Sequence, residues 1–137
     1  MKTVFVDTSA WYAVANATDR NHGPASAFLA EMAGTYARMT TTNLVIGETY
    51  TLILSRAGRS VARKFLGAMR DSSHVNRVFV SEALERRAYD LIELHDTIPL
   101  SYVDATSFAV MNDLGITDCF AFDHHFAAGG FTLVPSV

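Results

Sequence analysis

Cysteine is almost missing from this chain. Cys119 is its single cysteine, which excludes an intramolecular disulfide and a zinc site built from paired cysteines. Because it lies in the apolar segment Cys-Phe-Ala-Phe, we expect it in the core and not as a nucleophile. The chain therefore has to fold and act without thiol chemistry.

Long apolar runs are missing as well. No run approaches the roughly 18 residues that a membrane span needs, so we expect no membrane contact. The start of the chain superficially resembles a signal peptide, but Asp7 interrupts its apolar run and no Ala-x-Ala-like cleavage site follows promptly. We therefore expect a cytoplasmic protein.

Charged residues are few, at 18% of the chain, whereas hydrophobic residues make up 50%. That balance is typical of a globular protein and argues against disorder. The sequence has no repeat, linker or low-complexity segment, and it predicts a single domain over residues 1–137. A net charge of −3 argues against a nucleic-acid partner, unless several acids bind cations that offset their charge.

Short and long apolar segments alternate along the chain. Short β-branched and aromatic segments predict strands at residues 2–6, 36–41, 77–80, 119–122 and 131–134. Longer segments with helical spacing predict helices at residues 10–17, 23–33, 43–56 and 60–71, after Ser81, and from Ser101 to about Gly115. We expect Asn43 and Ser81 to cap two of these helices. Apolar strands that alternate with helices indicate an α/β fold with a parallel sheet.

Four acidic residues stand out against these elements. Asp7 and Asp123 each follow an apolar strand, and open α/β sheets place their sites at the carboxyl ends of the strands. Asp104 begins a largely apolar helix, and Glu48 lies on another helix beside leucine, valine and isoleucine. We expect that flank to be buried, so that Glu48 needs a partner or a metal. The four acids can therefore converge on one site.

Each acid also has a structural interpretation when taken singly. Asp7 and Asp123 can cap the helices that follow them, Asp104 has the spacing of a capping box after Ser101, and Glu48 can be a solvated helix residue. If the four converge, however, their mutual repulsion requires a cation. An all-oxygen ligand set suits Mg²⁺ or Mn²⁺. Such a site predicts metal-assisted phosphodiester hydrolysis without a protein nucleophile.

Four segments resemble the PIN-domain family, and within it the VapC-type toxins of bacterial and archaeal toxin–antitoxin systems. They are VFVDTSAWYAV, TTNLVIGETYTLIL, LSYVDATSFAVMNDLGI and FAFDHHFAAGGFTLV, and they extend over essentially the whole chain. The resemblance implies a three-layer α/β/α sandwich around a central parallel sheet and a Mg²⁺- or Mn²⁺-dependent endoribonuclease. It also implies a homodimer that cleaves RNA and is inhibited by a cognate antitoxin.

The resemblance carries the metal-site role over to Asp7, Glu48, Asp104 and Asp123. A hydroxyl of Ser9, which matches the family better than Thr8, would support these ligands. Many relatives have threonine two residues before the last acid, where this chain has Ala121, so Asp123 is positioned by other means or holds the metal more weakly. Asp118 is a rival or auxiliary ligand, and otherwise a turn former.

The densest basic stretch follows the helix that carries Glu48. Its helical face consists of Arg56, Arg59, Arg63 and Arg70. This face is either solvated or a contact surface for RNA phosphates or an acidic antitoxin segment. His124 and His125 directly follow Asp123; adjacent histidines on a helix point about 100° apart and seldom bind one metal, but either can contact a phosphate.

Two other functions fit parts of the pattern. The same acids suit a PIN-like nuclease that acts in RNA processing or on DNA without a toxin role. Nothing in the sequence identifies a residue that recognises the 2′-hydroxyl, the group that distinguishes RNA from DNA. A non-catalytic signalling module with an acidic pocket, similar to a response-regulator receiver, needs an acidic pair after its first strand and a late lysine. This chain has Asp7 alone and no lysine after Lys64, which argues against that module.

Overall fold

The structure is a computed structural model that describes residues 2–136. Its centre is a five-stranded parallel sheet in the order β3-β2-β1-β4-β5. The strands are β1 (Lys2–Val6), β2 (Tyr36–Thr42), β3 (Val75–Val78), β4 (Asp118–Phe120) and β5 (Thr132–Val134). The helices are α1 (Thr8–Ala15), α2 (His22–Glu31), α3 (Asn43–Ala57), α4 (Arg59–Asp71), α5 (Glu82–Leu94), α6 (Tyr102–Leu114) and α7 (His125–Ala128). A 3-10 turn (Met32–Gly34) leads into β2.

The core forms around β1, which pairs with β2 on one side and β4 on the other. Val4, Phe5 and Val6 are fully buried, as a central strand covered by helices on both faces requires. Cys119 pairs with Phe5 and is also fully buried, so the prediction that it is a core residue is confirmed. The predicted three-layer α/β/α fold is likewise confirmed.

Serine caps begin two of the predicted helices. The Ser81 hydroxyl accepts a hydrogen bond from the Leu84 N–H at 3.2 Å, and the Ser101 hydroxyl accepts one from the Asp104 N–H at 3.0 Å. Each bond satisfies a backbone donor that the first turn of a helix leaves unpaired. Both helix starts therefore agree with the sequence.

The predicted cap of α3 was wrong by one residue. The Thr42 hydroxyl accepts the hydrogen bond from the Val45 N–H at 3.0 Å. The Asn43 side chain is instead used elsewhere, because its Oδ1 accepts a hydrogen bond from the Val80 N–H at 2.9 Å. That bond holds the segment after β3 against the start of α3.

The predicted bounds of two strands were also shifted. The third strand was expected at residues 77–80 and lies at Val75–Val78, because its ladder with β2 starts where Val75 pairs with Met39. The fourth was expected at residues 119–122, but its ladder with β1 ends where Phe120 pairs with Val6. Asp123 therefore lies in a loop that leaves the end of β4.

Within residues 2–136, no helix combines the length and the apolar character that crossing a bilayer requires.

Candidate active site

Asp7 lies directly after β1 and caps α1. Its Oδ2 accepts hydrogen bonds from the Ser9 hydroxyl at 2.8 Å and from the Ser9 N–H at 3.2 Å. The residue is 3% exposed, and this burial, together with the negative charge of Asp104, raises the pKa of the Asp7 carboxyl to about 7 against the opposing hydrogen bonds from Ser9. A buried carboxylate of this kind is poised to bind a cation.

Ser9 joins Asp7 to the loop after β4. Its hydroxyl donates to Asp7 and accepts a hydrogen bond from the Phe122 N–H at 2.9 Å. Thr8, the weaker alternative, differs: its hydroxyl is buried and has no hydrogen-bond partner within residues 2–136. Of the two hydroxyls that the sequence suggested, Ser9 is therefore the one that supports the Asp7 carboxylate.

Asp104 projects from the first turn of α6. The residue is 7% exposed. Burial raises the pKa of the Asp104 carboxyl, and the negative charge of Asp123 adds to the effect, while the hydrogen bond from His125 opposes it. Only one half of the predicted capping box is a close hydrogen bond within residues 2–136, the one that the Asp104 backbone N–H donates to Ser101. The close partner of the carboxylate is instead His125.

Asp123 lies in the loop between β4 and α7. Its Oδ1 accepts a hydrogen bond from the His125 N–H at 2.9 Å. This bond positions the carboxylate without the hydroxyl that Ala121 cannot supply, so Asp123 is held by other means than in many relatives. The Nδ1 atom of His125 lies 3.2 Å from Asp104 Oδ2 and 3.5 Å from Asp123 Oδ1.

The structure therefore brings three of the four predicted acids together. The pKa of the Cys119 thiol in the core beneath them is raised well above its usual value, first by burial and then by the negative charges of Asp7, Asp104 and Asp123. Potential ligand atoms of Asp104, Asp123 and His125 all lie within 4.8 Å of one another. This close group consists of two carboxylates and one imidazole nitrogen, a donor set that fits a divalent cation. Asp7 is linked to it through the negative charge of Asp104, which raises the pKa of the Asp7 carboxyl.

Glu48 is placed differently from the prediction. The buried residues of α3 are Val45, Thr49 and Ile53, which repeat every four residues, and Glu48 lies beside that stripe and is exposed. The flank is buried at Val45 and Ile53, as predicted, but the inference that Glu48 therefore needs a partner or a metal was wrong, because the Glu48 side chain is solvated. Instead, Glu48 lines an open groove of about 730 Å³.

The groove connects Glu48 to the other acids through their neighbours in the chain. Thr8, next to Asp7, and Val103, next to Asp104, line the same groove as Glu48. Glu48 thus shares a groove with the chain neighbours of Asp7 and Asp104, but it is not in the close group of Asp104, Asp123 and His125.

Asp118 does not join this cluster. It begins β4 and pairs with Val4 in the middle of β1, whereas Asp7 lies beyond the carboxyl end of β1. Its carboxylate accepts a hydrogen bond from the Tyr36 hydroxyl at 2.7 Å and lies 3.5 Å from the Lys2 ammonium. The expectation of a rival or auxiliary ligand is corrected here: Asp118 is a buried structural acid.

The prediction that four arginines share one helical face was wrong, because Gly58 separates Arg56 on α3 from the other three on α4. These basic residues divide into paired and unpaired ones. Arg70 forms an ion pair with Asp71, and the Arg56 guanidinium lies 5.6 Å from the centre of the Tyr12 ring. Arg59 and Arg63 have no carboxylate partner within residues 2–136, and with Lys64 they line an open cavity of about 560 Å³. His124 is exposed beside the acid cluster.

His125 is the residue at this site whose contacts the sequence did not predict. Adjacent histidines were expected to point apart as residues of a regular helix, but His125 is the first residue of a four-residue helix. The usable signal is its spacing from Asp123, because an aspartate readily accepts a hydrogen bond from the N–H two residues later and turns the chain there.

Comparisons with known proteins identify the family of this chain. The PIN domain model matches residues 4–131. The 23S rRNA-specific endonuclease VapC20 of Mycobacterium tuberculosis is 42% identical over 131 residues, which cover 96% of this chain and 97% of the relative. A crystal structure of VapC20, described as a toxin that cleaves the sarcin–ricin loop, superposes with a TM-score of 0.87 at 41% identity and covers 94% of this chain and 96% of that chain.

More distant structures share the fold. The structure of VapBC2 from Rickettsia felis, bound to a DNA fragment from its promoter, matches with a TM-score of 0.71 at 10% identity over 96% of each chain. PAE2754 from Pyrobaculum aerophilum matches with a TM-score of 0.58 at 19% identity over 98% of this chain and 90% of that chain. The chain belongs to the PIN-domain family, as its four acidic segments predict.

Proposed function

We propose that this protein is a metal-dependent endoribonuclease that hydrolyses RNA phosphodiester bonds at the cluster of Asp7, Asp104 and Asp123. The convergence of these acids carries the proposal: ligand atoms of Asp104, Asp123 and His125 lie within 4.8 Å of one another, and the charge of Asp104 raises the pKa of the buried Asp7 carboxyl. Carboxylates grouped in this way repel one another, and a bound cation would offset that repulsion. Glu48 contributes the fourth carboxylate from the groove wall.

Each residue has a defined task in this chemistry. Asp7, Asp104 and Asp123 hold Mg²⁺ or Mn²⁺, which when bound lowers the pKa of a water and offsets charge on the phosphate. Ser9 fixes the Asp7 carboxylate and ties it to the loop that carries Asp123. Glu48, exposed on the groove wall, orients the attacking water or completes the ligand set.

The substrate proposal follows the VapC20 relative. At 42% identity over nearly the whole length of both chains, we propose that the target is 23S rRNA and that the sarcin–ricin loop is the first segment to test. We expect exposed Arg56, Arg59 and Arg63 to contact RNA phosphates, and His124, which follows Asp123 in the chain and is exposed, to contact a phosphate as well. Arg70 contributes less because Asp71 pairs with it.

The decisive experiment measures cleavage of purified ribosomes and of a sarcin–ricin stem-loop in Mg²⁺, in Mn²⁺ and in chelator. We expect metal-dependent cleavage that Asp7→Asn and Asp104→Asn each reduce by at least about a hundredfold. Losing a residue that merely supports a metal ligand costs up to about a hundredfold, and losing a ligand itself should cost no less. Asp96→Asn, which alters an exposed carboxylate without a side-chain hydrogen bond within residues 2–136, is the matched control. Equal cleavage by the wild type and both variants would identify a contaminating nuclease and contradict the proposal.

The biological role we propose is that of the toxin of a toxin–antitoxin pair in the cytoplasm, acting as a homodimer and inhibited by a cognate antitoxin. The VapC20 relative supports this role. Expression should arrest bacterial growth, and Asp7→Asn should relieve the arrest. Growth with intact, soluble wild-type protein would instead favour the alternative of a nuclease in RNA processing or on DNA.

A further inference from the structure

The imidazole of His125 lies between two carboxylates of the acid cluster. Its Nδ1 atom is 3.2 Å from Asp104 Oδ2 and 3.5 Å from Asp123 Oδ1. The backbone N–H of His125 donates to that same Asp123 oxygen at 2.9 Å, so the loop fixes both the ring and the acid. The ring is half-buried, with its other edge toward solvent.

These separations match those of ligands around one cation. Two ligand atoms at right angles on an octahedral ion, with bonds of about 2.1 Å, are about 3.0 Å apart. The two nitrogen–oxygen distances are within about half an ångström of that value, and the ligand atoms of all three residues fit within 4.8 Å. A small inward adjustment around an ion would complete the geometry.

His124 offers the contrast. It is exposed, and within residues 2–136 its ring makes no hydrogen bond or ion pair with an acid of the cluster. The loop therefore separates two chemically identical neighbours, with one ring between the carboxylates and the other in solvent. That difference makes His124 a matched control for His125.

We propose that His125 Nδ1 is a direct ligand of the catalytic cation, together with Asp104 and Asp123. Without the cation, Nδ1 carries a proton that it donates to Asp104. That proton is released when the cation binds, and the neutral ring keeps its proton on Nε2. This inference rests on the metal-dependent activity proposed above and adds a nitrogen donor to a site otherwise built from oxygen. Imidazole nitrogen favours first-row transition ions, whereas Mg²⁺ prefers oxygen ligands. The site therefore binds Mn²⁺, the probe ion here, more tightly than Mg²⁺, by a margin that depends on His125.

Manganese is a suitable probe because its paramagnetism reports its ligands. Mn²⁺ is added to the full-length chain, its affinity is measured by titration, and pulsed electron paramagnetic resonance detects coupling to a bound nitrogen-14 nucleus. We expect nitrogen coupling in the wild type. His125→Gln should abolish the coupling and weaken Mn²⁺ binding by at least about tenfold, while His124→Gln should change neither.

A second variant separates loss of a ligand from loss of folding. His125→Asp replaces the nitrogen with an oxygen ligand, so Mn²⁺ binding should persist without nitrogen coupling, and the ratio of Mn²⁺ to Mg²⁺ affinity should fall. Far-ultraviolet circular dichroism checks that each variant is folded.

The outcomes distinguish this inference from the proposal on which it rests. Tight Mn²⁺ binding by the wild type without nitrogen coupling, or coupling that survives in His125→Gln, would overturn the role of His125 and leave a metal-dependent nuclease in place. Failure of the wild type to bind Mn²⁺ at all would overturn both.

Discussion

At the scale of single residues, Asp7 shows why local patterns left two interpretations open. The same carboxylate caps α1 through the Ser9 N–H and carries a pKa raised to about 7 by burial. Helix capping and metal binding both place an acid directly after a strand, so the residue's neighbourhood in the sequence cannot separate them. Its proximity to Asp104, which is 97 positions later in the chain, is a tertiary fact that required the fold.

Asp118 shows that a residue close to Asp123 in the sequence can lie away from it in the fold. It is as buried as Asp104 and lies only five residues before Asp123, yet it stands at the start of β4, opposite Val4, and not at the carboxyl end of the sheet. Strand register decides this, because two residue steps of extended chain place Asp118 about 7 Å from the carboxyl end of β4. The partners of Asp118, Tyr36 and Lys2, come from other strands and could not be read from the sequence.

The pair of Tyr36 and Asp118 gives a pH-dependent prediction. Burial first, and then the hydrogen bond to Asp118, raise the pKa of the Tyr36 phenol to about 12 from its ordinary value of 10. The unfolded chain therefore loses this proton first, and the stability that depends on Tyr36 is present below pH 10 and falls between pH 10 and about 12. Tyr36→Phe should lower the free energy of unfolding at pH 8 by about 1–3 kcal/mol, because a buried carboxylate loses its donor.

Urea unfolding at pH 8, 9, 10 and 11 measures the difference between the wild type and Tyr36→Phe. We expect that difference to narrow above pH 10. Tyr50→Phe, which removes a hydroxyl without a side-chain hydrogen bond within residues 2–136, is the control. A difference that stays constant up to pH 11 would contradict the role of the Tyr36 proton.

At the scale of elements, the sequence predicted the starts of the two serine-capped helices better than it predicted strand ends. Helix starts depend on local capping chemistry, and Ser81 and Ser101 behave as their spacing predicts. Strand ends depend on which partner residues remain within reach, so β3 and β4 each begin or end one or two residues from the apolar runs that suggested them. The exposure of Glu48 has a similar cause, since an apolar helix buries one stripe and not its whole circumference.

The segment from α7, which begins at His125, to Phe131 depends on close packing against α6. The Phe108 ring packs against Phe126 and Phe131 at centroid distances of 5.1 and 5.0 Å. A Cβ atom at Gly129 would lie 2.5 Å from a carbon of the Phe108 ring. Since the backbone at Gly129 has an ordinary φ of −77°, this close approach and not backbone strain explains the glycine.

Gly129→Ala should therefore destabilise the protein by about 1–3 kcal/mol, the usual cost of overfilling a packed core. Chemical denaturation measures the loss. Gly23→Ala is the matched control, because a Cβ at Gly23 meets nothing within 4 Å and its effect should stay below about 1 kcal/mol. Equal stability of Gly129→Ala and the wild type would show that Phe108 can move aside freely.

At the scale of the whole molecule, charge is divided between two surfaces. The net charge of −3 hides an acidic cluster at the carboxyl end of the sheet and a basic face at the junction of α3 and α4. Ser55 ends the Glu48 groove on α3, and Arg56 follows it directly. Because acidic and basic residues are concentrated at different places on the molecule, average charge is a poor guide to the partner.

This division predicts how RNA binding responds to salt. In the Asp7→Asn background, which keeps RNA intact, the logarithm of affinity should fall linearly with the logarithm of salt concentration. Replacing both Arg59 and Arg63 with Gln should weaken binding at low salt and reduce that slope by about 2, because each arginine neutralises one phosphate. Arg86→Gln removes a cation that already pairs with Glu82 at 2.6 Å on α5, so it should leave the slope unchanged. Filter binding of the sarcin–ricin stem-loop across salt concentrations provides the measurement, and an unchanged slope in the double variant would place the phosphate-binding residues on another surface.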